Sequence, residues 1–341
     1  MPRRRPRGRT LTGKAGRGRR PAGAIGSARG AGGGARGAGG SARGARGAGG
    51  GARGAQGAGG GQRRGGGAPV SGRRGIGGEQ VEGVQAVREL LVARRRRVIS
   101  VTISDPSGRS EPLAEIAQLA SRASYQPDGA AEHSGAPRHV EVRYVEREVL
   151  DRLAVSDAPQ GVVAFAEAIE SHELSTLTTR DVGGSTPFLV VLDGITDPHN
   201  LGAVMRSALG SGVTGLVIPK HRSARLSPAA LKAAAGAAEH LPIVEVAGVP
   251  AALRQLDQDG VWTVGLDSAA ATVIWELAVA DKPLALVLGA EGGGLSPLTA
   301  RRCRAMAGIP LQGPLGSLNV SVAAAVACFE VARRRAMADP R

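Results

Sequence analysis

Three stretches of this chain place polar side chains where an α/β protein can do chemistry. The first is "DPHNLGAVMRSA", residues 197–208. It follows the apolar run "PFLVVLDGI", so it reads as strand, polar turn, helix. The turn carries Asp197, His199 and Asn200, and the helix after it carries one charge, Arg206. Arginine is a fixed cation. Taken alone, Arg206 is either a group for an anion or a surface salt-bridge residue. The second stretch is "LVLGAEGGGLSP", residues 286–297, again directly after a strand and before a helix. Glycine-rich loops at strand C-termini let a ligand approach the backbone. Glu291 is the ionisable side chain of that loop; a flexible turn with a solvated carboxylate is the alternative. The third is "IPLQGPLGSLNVSVAAAVACFEVARRR", residues 309–335. Its helix opens at Ser317–Asn319, with Ser317 a plausible N-cap and Asn319 able to face the loop. Arg333, Arg334 and Arg335 suit a helix C-terminus, with RNA contact as the other reading.

Other signals are weaker. "GSGVTG", residues 210–215, matches G-x-G-x-x-G, but it follows a helix and leads into a strand. The dinucleotide fingerprint needs the reverse order, so these glycines read as a helix terminus. His240 ends a helix and reads as a cap or surface residue. Cys303 and Cys328 give neither a metal spacing nor a disulfide framework, and His, Cys, Asp and Glu show no metal-binding spacing. No G-x-S-x-G elbow supports a serine hydrolase.

The elements that must position these residues form two groups. Residues 77–168 alternate helical and strand patterns: "VEGVQAVRELLVARR", "RVISVTIS", "EPLAEIAQLASRA", "HVEVRYV", "EREVLDRLA" and "GVVAFAEA". They form one compact α/β unit. Residues 169–186 are polar, end in Gly and Pro territory, and read as a linker. From 187 to 338, strand candidates "FLVVLDG", "GLVIP", "LPIVEV", "VWTVGLD", "LALVLGA" and "AMAGIPL" are near-continuous apolar runs. Helices are expected at 200–210, 227–237, 249–257, 296–303 and 318–335. That pattern implies a mostly parallel sheet covered on both faces.

The 341 residues carry a formal charge of +15, unevenly spread. Of the 44 Lys and Arg, 18 lie in residues 1–78, leaving 26 to face all 29 Asp and Glu. A cationic tail is therefore joined to a nearly neutral body. Residues 1–75 are loose Gly, Ala and Arg repeats with too few large apolar groups to offset chain entropy, so disorder is expected. The tail reads either as an RNA-holding arm or as low-complexity sequence of weak affinity; a start near Val70 is a further alternative. It lacks the apolar core of a signal peptide. No run of about 18 uncharged apolar residues predicts a membrane span, and the two cysteines fit a reduced, cytoplasmic setting.

In order, the three stretches resemble the three motifs of the SpoU (TrmH) family of RNA 2′-O-ribose methyltransferases. The likeness spans residues 77–335 and is nearest to the branch that methylates a guanosine ribose in 23S rRNA. The resemblance implies a small ribosomal-L30e-like RNA-binding domain at 77–168. After it comes a SPOUT-type catalytic domain at 187–338 with a C-terminal trefoil knot, against the general rule that chains are unknotted. It also implies a homodimer with each site near the subunit interface, no metal, and S-adenosyl-L-methionine (SAM) as methyl donor. SAM would be held by the backbones of Leu288, Gly289, Ile309, Pro310 and Leu318. Asn200, Arg206, Glu291, Ser317 and Asn319 match the family's functional polar set.

On that reading a ribose 2′-OH attacks the SAM methyl in line. The hydroxyl is a weak nucleophile, so a group must accept its proton or stabilise the oxyanion. Arg206 is either a base, if its pKa is lowered a great deal, or a clamp on the target phosphate; the clamp is the simpler role. Asn200 and Arg206 lie about 120° apart around a helix after full turns, so contact would need Asn200 in the turn. Glu291 is expected to pair with Arg206, and Ser317 and Asn319 to support the loop. Alternatives are a tRNA or antibiotic-resistance rRNA 2′-O-methyltransferase, and a non-catalytic rRNA-binding protein of the same fold.

Overall fold

The computed structural model describes residues 75–125, 138–179 and 186–338. The Gly/Ala/Arg-rich tail, for which composition predicts disorder, lies outside the described residues up to residue 74.

The first group of elements is β1 (Gln80–Glu82), α1 (Val84–Ala93), β2 (Val98–Ile103), α2 (Glu111–Arg122), β3 (Ser124–Tyr125), β4 (Arg138–His139), β5 (Glu141–Tyr144), α3 (Arg147–Leu153) and β6 (Val162–Ala166). Strands order β1-β6-β2-β5, with β6 antiparallel to both neighbours and β5 parallel to β2. β3 and β4 form a separate antiparallel pair. Val87, Leu90 and Leu91 of α1 and Leu113, Ile116 and Ala120 of α2 recur at helical spacing and are buried, which is why these segments become helices on this sheet.

The second group is α4 (Leu174–Thr178), β7 (Phe188–Asp193), α5 (Pro198–Gly210), β8 (Gly215–Pro219), α6 (Pro228–Ala234), β9 (Ile243–Val246), α7 (Val249–Gln258), β10 (Trp262–Leu266), β11 (Leu284–Gly289), α8 (Pro297–Arg302), β12 (Ala305–Ala307) and α9 (Val320–Ala338). The sheet order is β12-β10-β11-β7-β8-β9, and every pairing is parallel. Both faces are covered. Along β7, Phe188, Val190 and Leu192 join the core that includes α5, α6 and α9, while Leu189 and Val191 join the one under α4 and α7. The period of two in a strand sends alternate side chains to opposite faces.

The segment read as a linker, 169–186, contains α4. Its Leu174 and Leu177 bury against the sheet beside Leu189 and Val191, so two leucines three apart convert a polar stretch into a docked turn. The helix expected from 227 to 237 stops at Ala234, where Ala235 turns left-handed (φ 49°), and a short 3-10 turn follows at Ala237–Glu239. The last helix opens at Val320, later than its pattern suggested.

One apolar core runs from Val81, Val87 and Leu90 of the first group to Leu201, Met205 and Leu231 of the second. A buried ion pair reinforces the join. Arg96 donates through Nε to Glu239 Oε2 (2.9 Å) and through Nη2 to Oε1 (2.6 Å), while Nη1 donates to the carbonyls of Gly78 and Glu167. The side chains are 8% and 4% exposed, so the bidentate geometry must satisfy both charges internally. His240 caps the 3-10 turn at its C-terminus, its N–H donating to Ala237 O (3.1 Å), and its Nε2 also contacts Glu89 Oε2 at 2.9 Å across the same join. No described helix is long and apolar enough to cross a membrane.

Candidate functional site

The C-terminal ends of β7 and β11 lie side by side, with Gly289 opposite Asp193. That single pairing brings the first two sequence stretches together. Asp197 caps α5, accepting from His199 N at 2.9 Å, and Pro198 takes the first helical position, where its missing N–H costs nothing. Asn200 therefore lies within the first turn of the helix and is only 7% exposed.

Its carboxamide is fully engaged. Asn200 Nδ2 donates to Asp197 Oδ2 (3.0 Å) and to Glu291 Oε1 (2.8 Å), and Oδ1 accepts from Asn319 Nδ2 (3.1 Å). Asn319 Nδ2 also donates to Glu291 Oε1 at 2.7 Å. One carboxylate oxygen thus gathers two amide donors, and three loops distant in sequence meet on it. Asn319 Oδ1 accepts from Ser321 N (2.9 Å), Ser321 Oγ (2.6 Å) and Val322 N (3.4 Å). Asn319, not Ser317, is the N-cap of α9. The helix begins two residues later than expected, and only the residue just before its first turn can reach those N–H groups.

The loop after β11 folds back on itself: Ala290 and Gly294 exchange two backbone hydrogen bonds at 2.9 Å. A Cβ at Gly289 would lie 2.1 Å from the Gly294 carbonyl carbon, so only glycine permits this approach. Asp193 Oδ2 accepts from Ser296 N at 2.9 Å and ties the far end of the loop to β7.

Beside this network is a cleft of about 360 Å³. Leu288, Gly289, Glu291, Ile309, Ser317 and Leu318 line it, together with Leu266, Asp267 and Ser268 at the end of β10. Pro310 is exposed and does not line it; in the alternation after β12, Ile309 turns inward and Pro310 outward. Apolar side chains and free backbone groups in such a cleft suit a small ligand with both apolar and polar parts. Among the described residues no group of three or more His, Cys, Asp or Glu could hold a metal ion.

Arg206 is elsewhere. It is exposed on α5 and opens onto a separate groove of about 500 Å³, with His199, Lys232 and Gln160. The expected Arg206–Glu291 pair does not form, because Glu291 is held by the two asparagines and the helical phase sends Arg206 to another face. The three late arginines are structural. Arg335 donates to the carbonyls of Thr186, Pro187, Ala280 and Lys282 and sits 4.8 Å from the Phe188 ring centre. Burial lowers its pKa, with Asp281 opposing. Arg334 reaches the carbonyls of Trp275 and Leu277, and Arg333 pairs with Glu330.

Asp197, named with the turn, also carries a capping signal one residue before Pro198; Asp193 and Asp267 are not singled out by the sequence and show only as strand-terminal carboxylates.

Residues 187–329 match the model of the SpoU rRNA Methylase family. The chain is 36% identical over 261 residues to the 23S rRNA (guanosine-2′-O-)-methyltransferase RlmB of Haemophilus influenzae, covering 75% of this chain and 98% of that protein. It is 37% identical to the protein of the same name from Yersinia pestis, covering 76% and 98%. Among solved structures, it is similar to the SpoU methyltransferase AviRb from Streptomyces viridochromogenes in complex with the cofactor AdoMet. That match has a TM-score of 0.59 and 21% identity, and covers 76% of this chain and 90% of that one. An RNA 2′-O ribose methyltransferase matches with a TM-score of 0.59 and 24% identity, covering 76% and 88%. At these identities the structural likeness concerns the fold.

Proposed function

The chain belongs to the SpoU rRNA methylase family, and from that premise we propose that it transfers a methyl group from SAM to a guanosine ribose 2′-oxygen in 23S rRNA. The observation that carries this reading is the Asn200–Glu291–Asn319 network beside the Gly289 cleft. Leu288, Gly289, Ile309 and Leu318 would hold SAM there, by apolar contact and backbone groups. When bound, SAM supplies an electrophilic methyl group on sulfonium.

The chain's own residues do the rest. The glycine loop brings backbone to the cleft, and the two asparagines hold Glu291 in place as an acceptor. Arg206 is the fixed positive charge that orients the target phosphate and favours the developing alkoxide. It is exposed on its own chain and so is open to meet a phosphate. Ser317 lines the cleft and would meet the substrate.

The reading includes an L30e-like RNA-binding unit at 77–168, a knotted catalytic domain at 187–338, a cytoplasmic location and a homodimer. Val322 and Phe329, seven residues apart on α9 and about half exposed, offer an apolar face for a second copy. Arg206 opens away from the cleft of its own chain, which supports a dimer in which one protomer's Arg206 approaches its partner's cleft. Titration with SAM by calorimetry, with mapping of 2′-O-methyl groups on rRNA and tRNA from a deletion strain, tests the proposal. Loss of one mark on 23S rRNA is expected; intact rRNA with an altered tRNA would overturn it.

A further inference from the structure

The loop between α3 and β6, residues 154–161, separates two grooves. One is the Arg206 groove. The other, of about 600 Å³, is lined by Phe165, Lys220 and Arg225 with Glu79 and Glu245. Val155 lines both and is 72% exposed. A lone exposed valine means nothing by itself. What distinguishes this one is how firmly it is held.

Glu82 is 0% exposed, and its carboxylate is spent on the loop. Oε1 accepts from Val155 N (2.7 Å) and Gln80 Nε2 (2.9 Å); Oε2 accepts from Ser156 N (3.0 Å) and from Ser156 Oγ. Lys232 Nζ donates to the carbonyls of Asp157 and Ala158 (2.7 Å). Gln160 Oε1 accepts from Val84 N at 3.0 Å. Ala158 and Gln160 are left-handed, at φ 54° and 60°, a conformation that costs non-glycine residues energy and persists only where the surroundings impose it. The Arg96–Glu239 pair ties the unit that carries the loop to the 3-10 turn that follows α6. A buried carboxylate and a lysine therefore hold an apolar tip out into solvent.

The side chains of Arg206, Lys220 and Arg225 have no ion-pair or hydrogen-bond partner among the described residues. Ala224 N donates to Ile195 O at 2.7 Å, which pins the loop carrying Lys220 and Arg225 beside the turn that precedes Asn200. Asp157 is the free carboxylate of the first groove, and Glu79 and Glu245 balance the second. Mixed charge around an apolar tip fits bases and sugars as well as phosphates. Sequence-specific RNA recognition works on unstacked bases in loops, and aliphatic side chains serve as wedges between bases.

We infer that loop 154–161 is a nucleotide-positioning finger: RNA flanking the target ribose crosses Val155 from the Arg206 groove to the Lys220–Arg225 groove, with an unstacked base against the valine. This rests on the reading that the substrate is RNA. The test uses the full chain and in-vitro-transcribed 23S rRNA, measuring rRNA affinity over a salt series, single-turnover methyl transfer and SAM affinity. Val155→Asp is expected to weaken rRNA binding about tenfold, with Val155→Ser intermediate, as loss of one base contact does. SAM affinity should stay within about twofold. Arg225→Ala should lower the slope of log affinity against log salt by about one, the signature of a lost phosphate contact.

Unchanged rRNA binding in Val155→Asp, or an equal loss of SAM affinity, would overturn the finger. An unchanged salt slope in Arg225→Ala would overturn the path. If the parent chain binds rRNA without methylating it, the enzymatic reading fails while the Val155 comparison still decides this one; if it binds no rRNA, both fall.

Discussion

The Gly289 cleft and the Arg206 groove follow opposite plans. At the cleft the polar side chains engage one another: Asn200 and Asn319 both donate to Glu291 Oε1, and glycine lets the backbone close on itself. At the groove Arg206 is exposed and has no partner among the described residues, while Lys232 and the buried carboxylate of Glu82 serve the wall rather than the opening. The first plan suits a small ligand met by fixed dipoles, where reorganisation would be costly. The second suits a polyanion, whose binding gains from displacing counterions around exposed charges. Substitutions should therefore separate the two regions.

The largest effect is expected from Gly289→Val. Its Cβ would strike the backbone of Gly294, so SAM affinity measured by calorimetry should fall by about 100-fold or more, as overpacking of a rigid site costs several kcal/mol. RNA affinity should hold; a parallel loss of both would mean that the regions are not independent. Next is Arg206→Ala. Single-turnover methyl transfer should slow by about 100-fold, the typical cost of one charge-stabilising donor, with SAM affinity kept. A collapse of SAM affinity in that variant would assign Arg206 to the cleft after all.

Glu82→Ala acts on the groove wall alone. It orphans the N–H groups of Val155 and Ser156, and a thermal or urea melt should show about 2–3 kcal/mol of lost stability. SAM affinity is expected to be untouched in the remaining folded protein. The smallest effect at neutral pH concerns the buried Cys328 of α9. Burial raises its thiol to about 12 from the ordinary 9.0, with a hydrogen bond from Ser211 opposing. The unfolded chain releases this proton first as pH rises. The group's stabilising contribution is therefore whole below pH 9.0 and is lost towards 12, by at most about 1.4 kcal/mol per pH unit. Cys328→Ala should flatten the alkaline limb of the stability curve; an unchanged limb would show that the thiol does not titrate there.

Much of this was readable along the chain. Continuous apolar runs separated by helical segments imply a parallel sheet buried on both faces, and that is the sheet observed. Asn200, Glu291 and Asn319 were each marked by their place after a strand. The phase of α5 already separated Asn200 from Arg206, yet the same reading paired Arg206 with Glu291. The cap of α9 was misplaced because Ser317 and Asn319 are both good N-caps, and propensity cannot choose between residues two apart. The arginines at 333–335 looked like helix-end charges; only the packing of α9 across the start of β7 showed Arg335 closing four carbonyls.

What the sequence determined by itself was local: where strands end, where helices begin, and which side chains stand at those junctions. These follow from hydrogen-bond periodicity and apolar spacing within a dozen residues. The tertiary structure decided which junctions meet. β11 lies against β7, which places Glu291 beside Asn200 across 91 positions of chain and leaves Arg206 to a groove shared with loop 154–161. That choice belongs to the packing of whole faces, since strand order is settled by which arrangement buries both sides of the sheet at once.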